Sequence, residues 1–166
     1  AIALQPDNAY AYYNRGISRD RMADYPKAFV DFTKAIALDS SNSDFFHNRG
    51  FCLRKLGKLD DAIQDYTQAI GLNPAHFKAL HNRAYCLDKL GRTEEALKDY
   101  SMALEVKPNH HSTLSARASL FERLERFDSA RSDLTEIICS LPPATSIAKA
   151  LLSSTPIAKE TDNGAV

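Results

Sequence analysis

The side chains through which this chain of 166 residues could hold a metal, activate a nucleophile or grip a ligand are few and spread out. His47 and His81 lie far apart in sequence, and His110-His111 follow Pro108. A zinc ion shared by His47 and His81 would need both imidazoles to converge within about 2.0–2.1 Å of the metal, together with a third donor. Helices packed side by side have axes roughly 8–10 Å apart, so the spacing alone does not supply that convergence. His110-His111 falls in a loop and is expected to face solvent. Cys52, Cys86 and Cys139 are odd in number and lack CxxC spacing, against both a disulfide framework and a thiolate zinc site. Cys52 and Cys86 are expected to serve as small core hydrophobes. No Gly-rich phosphate loop, GxSxG or HExxH occurs. The expectation is a chain without catalysis, metal or cofactor and, from its unpaired thiols, a reducing, cytoplasmic setting.

Composition narrows the partners. The 21 Lys and Arg balance 21 Asp and Glu, and 44% hydrophobic with 25% charged residues is ordinary globular usage. A neutral chain lacks the electrostatic footprint of a dedicated nucleic-acid binder, so no nucleic-acid partner is expected. No apolar run approaches the roughly 18 residues of a membrane span, so no membrane partner is expected either. Protein recognition is the class that remains.

The elements that must position these residues follow from a repeat. Small residues recur at Gly16, Gly50, Ala84 and Ala118, in steps of 34. Ala28, Ala62, Ala96 and Ala130 keep the step, as do Phe32, Tyr66, Tyr100 and Leu134. So do Ala35, Ala69 and Ala103, where Ile137 breaks the series, and Pro74, Pro108 and Pro142 close their repeats. His47 and His81 stand one such step apart. Within each period apolar residues fall three or four apart, the spacing of an amphipathic helix. The run breaks at Gly57 and Gly91, natural helix stops, with Ala23 and Glu125 at the same phase. The pattern predicts helices over 9–22, 25–38, 43–56, 59–72, 77–90, 93–106, 111–124 and 127–140, paired as antiparallel hairpins. One hairpin cannot bury its apolar face; four stacked ones can.

Bulky–small–bulky on the first helix, Ala–aromatic–Ala on the second and a terminal proline resemble the tetratricopeptide repeat over residues 1–143. The resemblance implies an all-α fold, a right-handed solenoid of stacked antiparallel helix pairs, with repeats over 9–42, 43–76, 77–110 and 111–143. Residues 1–8 have the phase of the tail of a preceding repeat, so a longer array is expected upstream. Ile147, Leu151 and Leu152 share a helical face, which predicts a C-terminal capping helix over 144–154, and 155–166 is expected to be a disordered tail.

Two sets of polar residues keep the period. Arg15, Arg49, Arg83 and Arg117 each precede the small residue. Asp31, Asp65, Asp99 and Asp133 follow them at a constant interval, on the packed side of the second helix. They are expected to form structural ion pairs between helices. The opposite stripe of each first helix, which the resemblance places along a concave groove, carries the second set. Asn14, Asn48 and Asn82 form a row that resembles the asparagine ladder of the repeat arm of O-linked N-acetylglucosamine transferase, which clamps extended peptide backbone. The alternative is that these amides only hydrogen-bond neighbouring helices. Arg21, Lys55, Lys89 and Arg123 form a basic row, either a solvated surface beside Asp20, Asp88 and Glu122, an acidic series that Arg54 breaks, or a selector of acidic ligands. Tyr13, Phe51 and Tyr85, flanked by His47 and His81, form an aromatic row that suits either anchor pockets or the edge of the core.

Members of this family that bind chaperone tails use a carboxylate clamp of Lys, Asn, Asn, Lys and Arg. The matching positions here are Tyr13, Ile17, Asn48, Lys78 and Asn82, so three of the five depart. The expected function is a non-catalytic protein–protein interaction scaffold that takes an extended peptide or partner helix in its groove. The alternative is a structural segment of a larger complex, or the targeting arm of an enzyme whose catalytic domain lies elsewhere.

Overall fold

The structure, a computed structural model, describes residues 7–140, which form eight α-helices and, among the described residues, no strand. The expected capping helix over 144–154, the tail over 155–166 and most of the segment 1–8 lie outside the described residues. In chain order the helices are α1 (Ala9–Arg21), α2 (Tyr25–Leu38), α3 (Ser43–Lys55), α4 (Leu59–Leu72), α5 (Phe77–Lys89), α6 (Thr93–Val106), α7 (His111–Arg123) and α8 (Phe127–Ser140).

Local chemistry sets where each helix begins and ends. Asn8, Asp24 and Asn42 cap helix N-termini by accepting from the backbone N–H groups of Ala11, Lys27 and Asp44. His76 does the same for α5 through Nδ1, at 3.2 Å from the Ala79 nitrogen. Just past the cap of each first helix comes a left-handed position, at φ 58° for Ala23, 78° for Gly57, 75° for Gly91 and 58° for Glu125. That conformation reverses the chain, and glycine adopts it without the cost a Cβ brings.

Each helix packs on the next in sequence, and α3 also touches both α1 and α5, so first helices line up beside one another. Phe32, Tyr66 and Tyr100 of the second helices are buried at 0–2% exposure and fill the space beside the small residues. The approach is close: a Cβ on Gly16 would stand 2.7 Å from Cε1 of Phe32. Cys52 and Cys86 lie in this core, and burial lifts their thiols to about 12 and about 11. At neutral pH both are therefore protonated and inert.

The arginine and aspartate series closes inside each repeat. Arg49 donates to Asp65 through Nε and Nη2 at 2.8 and 2.6 Å, Arg83 to Asp99 at 2.6 and 2.8 Å, and Arg117 to Asp133 at 2.9 and 2.7 Å. Arg15 makes the same fork on Asp31, which also takes Arg19 at 2.8 Å. All four aspartates are buried. Arg83 and Arg117 reach back one repeat as well, donating to Thr67 and Ser101 at 3.0 Å, so the ladder ties neighbours together.

Candidate functional site

The first-helix stripe divides into an inner strip that seals the repeat junctions and an outer strip that stays accessible. The inner strip begins with Tyr13, half-buried between Phe32 and Phe45, its hydroxyl accepting from Asn48 Nδ2 at 3.1 Å. Burial, with Asp44 nearby, raises the phenol above its ordinary range. Tyr13 is thus the edge of the core. Asn48 Nδ2 also donates to the Asp44 carbonyl at 2.8 Å.

His47 departs from the expectation of a ligand contact. It is buried, with its ring 5.0 Å from His76 and 5.9 Å from Tyr66. Burial, with His76 and Lys78 nearby, holds its pKa down to about 4, so it is neutral, and Nε2 accepts from Asn82 Nδ2 at 3.2 Å. Asn48 and Asn82 therefore both hydrogen-bond to neighbouring repeats, while Asn14 is exposed. The next junction repeats the arrangement. His81 lies half-buried beside His110, and the buried Thr113 hydroxyl bridges Nδ1 of both at 2.8 Å. It donates to one ring and accepts from the other. His110 is accordingly part of the junction, packed edge-on against Phe77, rather than a solvent-facing loop residue; its neighbour His111 is exposed. His76 was not singled out from sequence and His110 was expected to face solvent, although the two keep the same repeat step and follow His47 and His81 at one common interval.

The outer strip is a set of cations resting on aromatic rings. Lys55 Nζ lies 5.5 Å from the Phe51 ring centre and 6.0 Å from that of Tyr25. Lys89 Nζ lies 5.5 Å above Tyr85. Arg54 lies between, 4.8 Å from the Phe51 centre and 5.0 Å from that of Tyr85. Phe51 and Tyr85 are half-buried; Lys55, Lys89 and Arg21 are exposed. Such contacts hold long flexible side chains in place and shield one face of each ring from water. The chemistry available is non-covalent: fixed positive charge, apolar faces and few polar atoms. Among the described residues no group of three or more His, Cys, Asp or Glu could hold a metal ion, and no helix is long and apolar enough to cross a membrane.

Comparison with known proteins agrees with this architecture. The tetratricopeptide repeat family model matches residues 43–76 and 77–110, the two repeats that carry the outer strip. The crystal structure of MamA aligns with 90% of this chain and 85% of its own at a TM-score of 0.79 and 17% identity, a likeness of fold. YrrB, described as a TPR protein with an unusual peptide-binding site, aligns at 0.73 and 26% identity over 90% of this chain and 78% of its own. The first TPR of Spaghetti (RPAP3), bound to the HSP90 peptide SRMEEVD, aligns at 0.69 and 27% identity over 70% and 93%. No curated protein sequence matches the chain.

Proposed function

We propose that this chain, a tetratricopeptide-repeat solenoid, is a non-catalytic interaction scaffold whose first-helix face binds an extended peptide or partner helix. The observation that carries the reading is the outer strip. Phe51 and Tyr85 are half-buried on this face and braced by Lys55, Arg54 and Lys89, with Tyr85 also packed against the core beneath it. Half-exposed aromatics bordered by charge are the anchors that interfaces use. YrrB and the RPAP3 domain, both peptide-binding by description, support the same use of the fold.

Within this reading Phe51, Tyr85, Lys55, Lys89, Arg21 and Asn14 contact the ligand. Asn48, Asn82, His47, His81 and Tyr13 set the shape of the face by joining the repeats. An EEVD-type tail is not the ligand we propose. Tyr13, Ile17 and Asn82 replace three clamp residues, and Asn48 is already engaged by Tyr13. The unpaired thiols Cys52 and Cys86 support a cytoplasmic setting.

The test is a quantitative pull-down from cell extract with residues 1–166 against a Lys55→Gln, Lys89→Gln variant, with circular dichroism melts on both. Both lysines are exposed, so the variant is expected to melt like the parent. Partners lost from such a variant support the reading. An unchanged partner list contradicts it and favours a segment of a larger assembly.

A further inference from the structure

One phase of the first-helix face is broken in a way the fold does not explain. Positions 20, 54, 88 and 122 keep the repeat step and carry Asp20, Arg54, Asp88 and Glu122, three acids and one arginine. One step and one position further on from the first three stand Lys55, Lys89 and Arg123, all basic. The pattern therefore sets an acid of one repeat against a base of the next. It closes at the last junction, where Arg123 Nη2 lies 2.7 Å from Asp88 Oδ1. At the first junction burial raises the Asp20 carboxyl in pKa and the nearby Lys55 offsets this in part, without closing an ion pair.

At the middle junction the same step relates Arg54 to Lys89, two cations, which share the ring of Tyr85 at 5.0 and 5.5 Å. Among the described residues neither has a carboxylate within salt-bridge distance, and the next acid in this row, Asp88, is held by Arg123. The Arg54 Nε is buried with no hydrogen-bond partner. Tyr66, whose hydroxyl Arg54 faces, is a neutral phenol that burial keeps from ionising. A guanidinium fixed between two aromatic planes, partly withdrawn from water and lacking an anion, is pre-organised for a forked carboxylate contact.

We propose that Arg54, with Lys89 opposite, receives the side-chain carboxylate of an Asp or Glu in an extended peptide crossing this face; the assignment rests on the peptide-binding reading above. The carboxylate completes the alternation that Asp88–Arg123 shows one repeat later, and Tyr85 packs on the methylenes that carry it. A side chain rather than a chain terminus fits, because α3 lies inside the array with α1 on one side and α5 on the other, so a bound strand runs on in both directions.

Two pools of short degenerate peptides, acetylated and amidated, carry Glu or Gln at the central position and are otherwise alike. Fluorescence anisotropy with residues 1–166 is expected to show the Glu pool bound about tenfold tighter than the Gln pool, a difference that shrinks with salt. Arg54→Asp restores the acidic phase and gives Lys89 a partner, so it should fold at least as well as the parent and lose the preference. Arg54→Met, which keeps an apolar stem on Phe51 and Tyr85, should lose it too. Equal binding of both pools overturns the Arg54 assignment and leaves peptide binding standing; binding of neither overturns both. A preference that survives both Arg54 variants also overturns the assignment.

Discussion

Two charged rows run through this array with the same period and opposite consequences. The Arg15, Arg49, Arg83 and Arg117 row never departs from its partners: every arginine forks onto a buried aspartate of the helix that follows. The row at Asp20, Arg54, Asp88 and Glu122 departs once, at Arg54. The first row lies where water is excluded, and there a missing partner leaves a buried charge uncompensated. The second lies on a partly open face, where losing a partner costs less and a ligand can replace it. Strict repetition marks what holds the solenoid; the single departure marks where it can read something else.

The sharpest way to break this contrast is Asp65→Ala, which leaves the Arg49 fork without an acceptor. Loss of one partner of a desolvated pair costs about 3–5 kcal/mol, so the thermal midpoint should fall by roughly ten degrees or more. Binding should change only as the folded fraction does. A melt within a degree or two of the parent would show that the ladder is not structural.

Acid attacks the junctions next. His47 is held neutral at about 4 in the folded chain against about 6.5 when unfolded. The unfolded chain therefore binds more protons between those values, and stability falls as pH drops from 6.5 toward 4. His47 alone contributes a loss of about 2 kcal/mol at pH 5. Burial lowers His81 and His110 as well, with the same sign. Urea midpoints at pH 7.5 and 5 check this, and His47→Gln should flatten the slope.

Ala23 tests whether every departure from the period is functional. It holds φ 58° where Gly57 and Gly91 stand in the middle repeats. Ala23→Gly should stabilise the chain by about 0.5–1 kcal/mol without altering binding, which would mark that departure as a structural compromise. Smallest of all, Lys89→Gln should move stability by less than about 0.5 kcal/mol while weakening capture of acidic peptide.

Much of this was legible in the sequence because a period repeated four times averages over local ambiguity. Gly16, Gly50, Ala84 and Ala118 fixed the crossings, and the eight helices end within a residue of where the apolar spacing put them. The Arg–Asp ladder followed from phase alone. Burial along the groove stripe did not. A histidine at position 47 looks the same in sequence whether it faces a ligand or packs on His76, whose placement depends on the loop between repeats. The engagement of Asn48 and Asn82 was hidden for the same reason: their partners Tyr13 and His47 each sit in the preceding repeat, across a junction. Arg54 carried a signal, its break in an acidic series, but only the rings of Phe51 and Tyr85 on either side show what the break creates.

The central claim is that recognition belongs to the first-helix face and the ladder only supports it. Amide chemical shifts of residues 1–166, followed by NMR while the central-Glu peptide pool is added, test it most directly. The account predicts shifts concentrated on α3 and α5 around Phe51, Arg54, Lys55, Tyr85 and Lys89, with the α4 and α6 amides near Asp65 and Asp99 nearly still. Shifts centred on α4 and α6, or on the outer surface of α8, would contradict it.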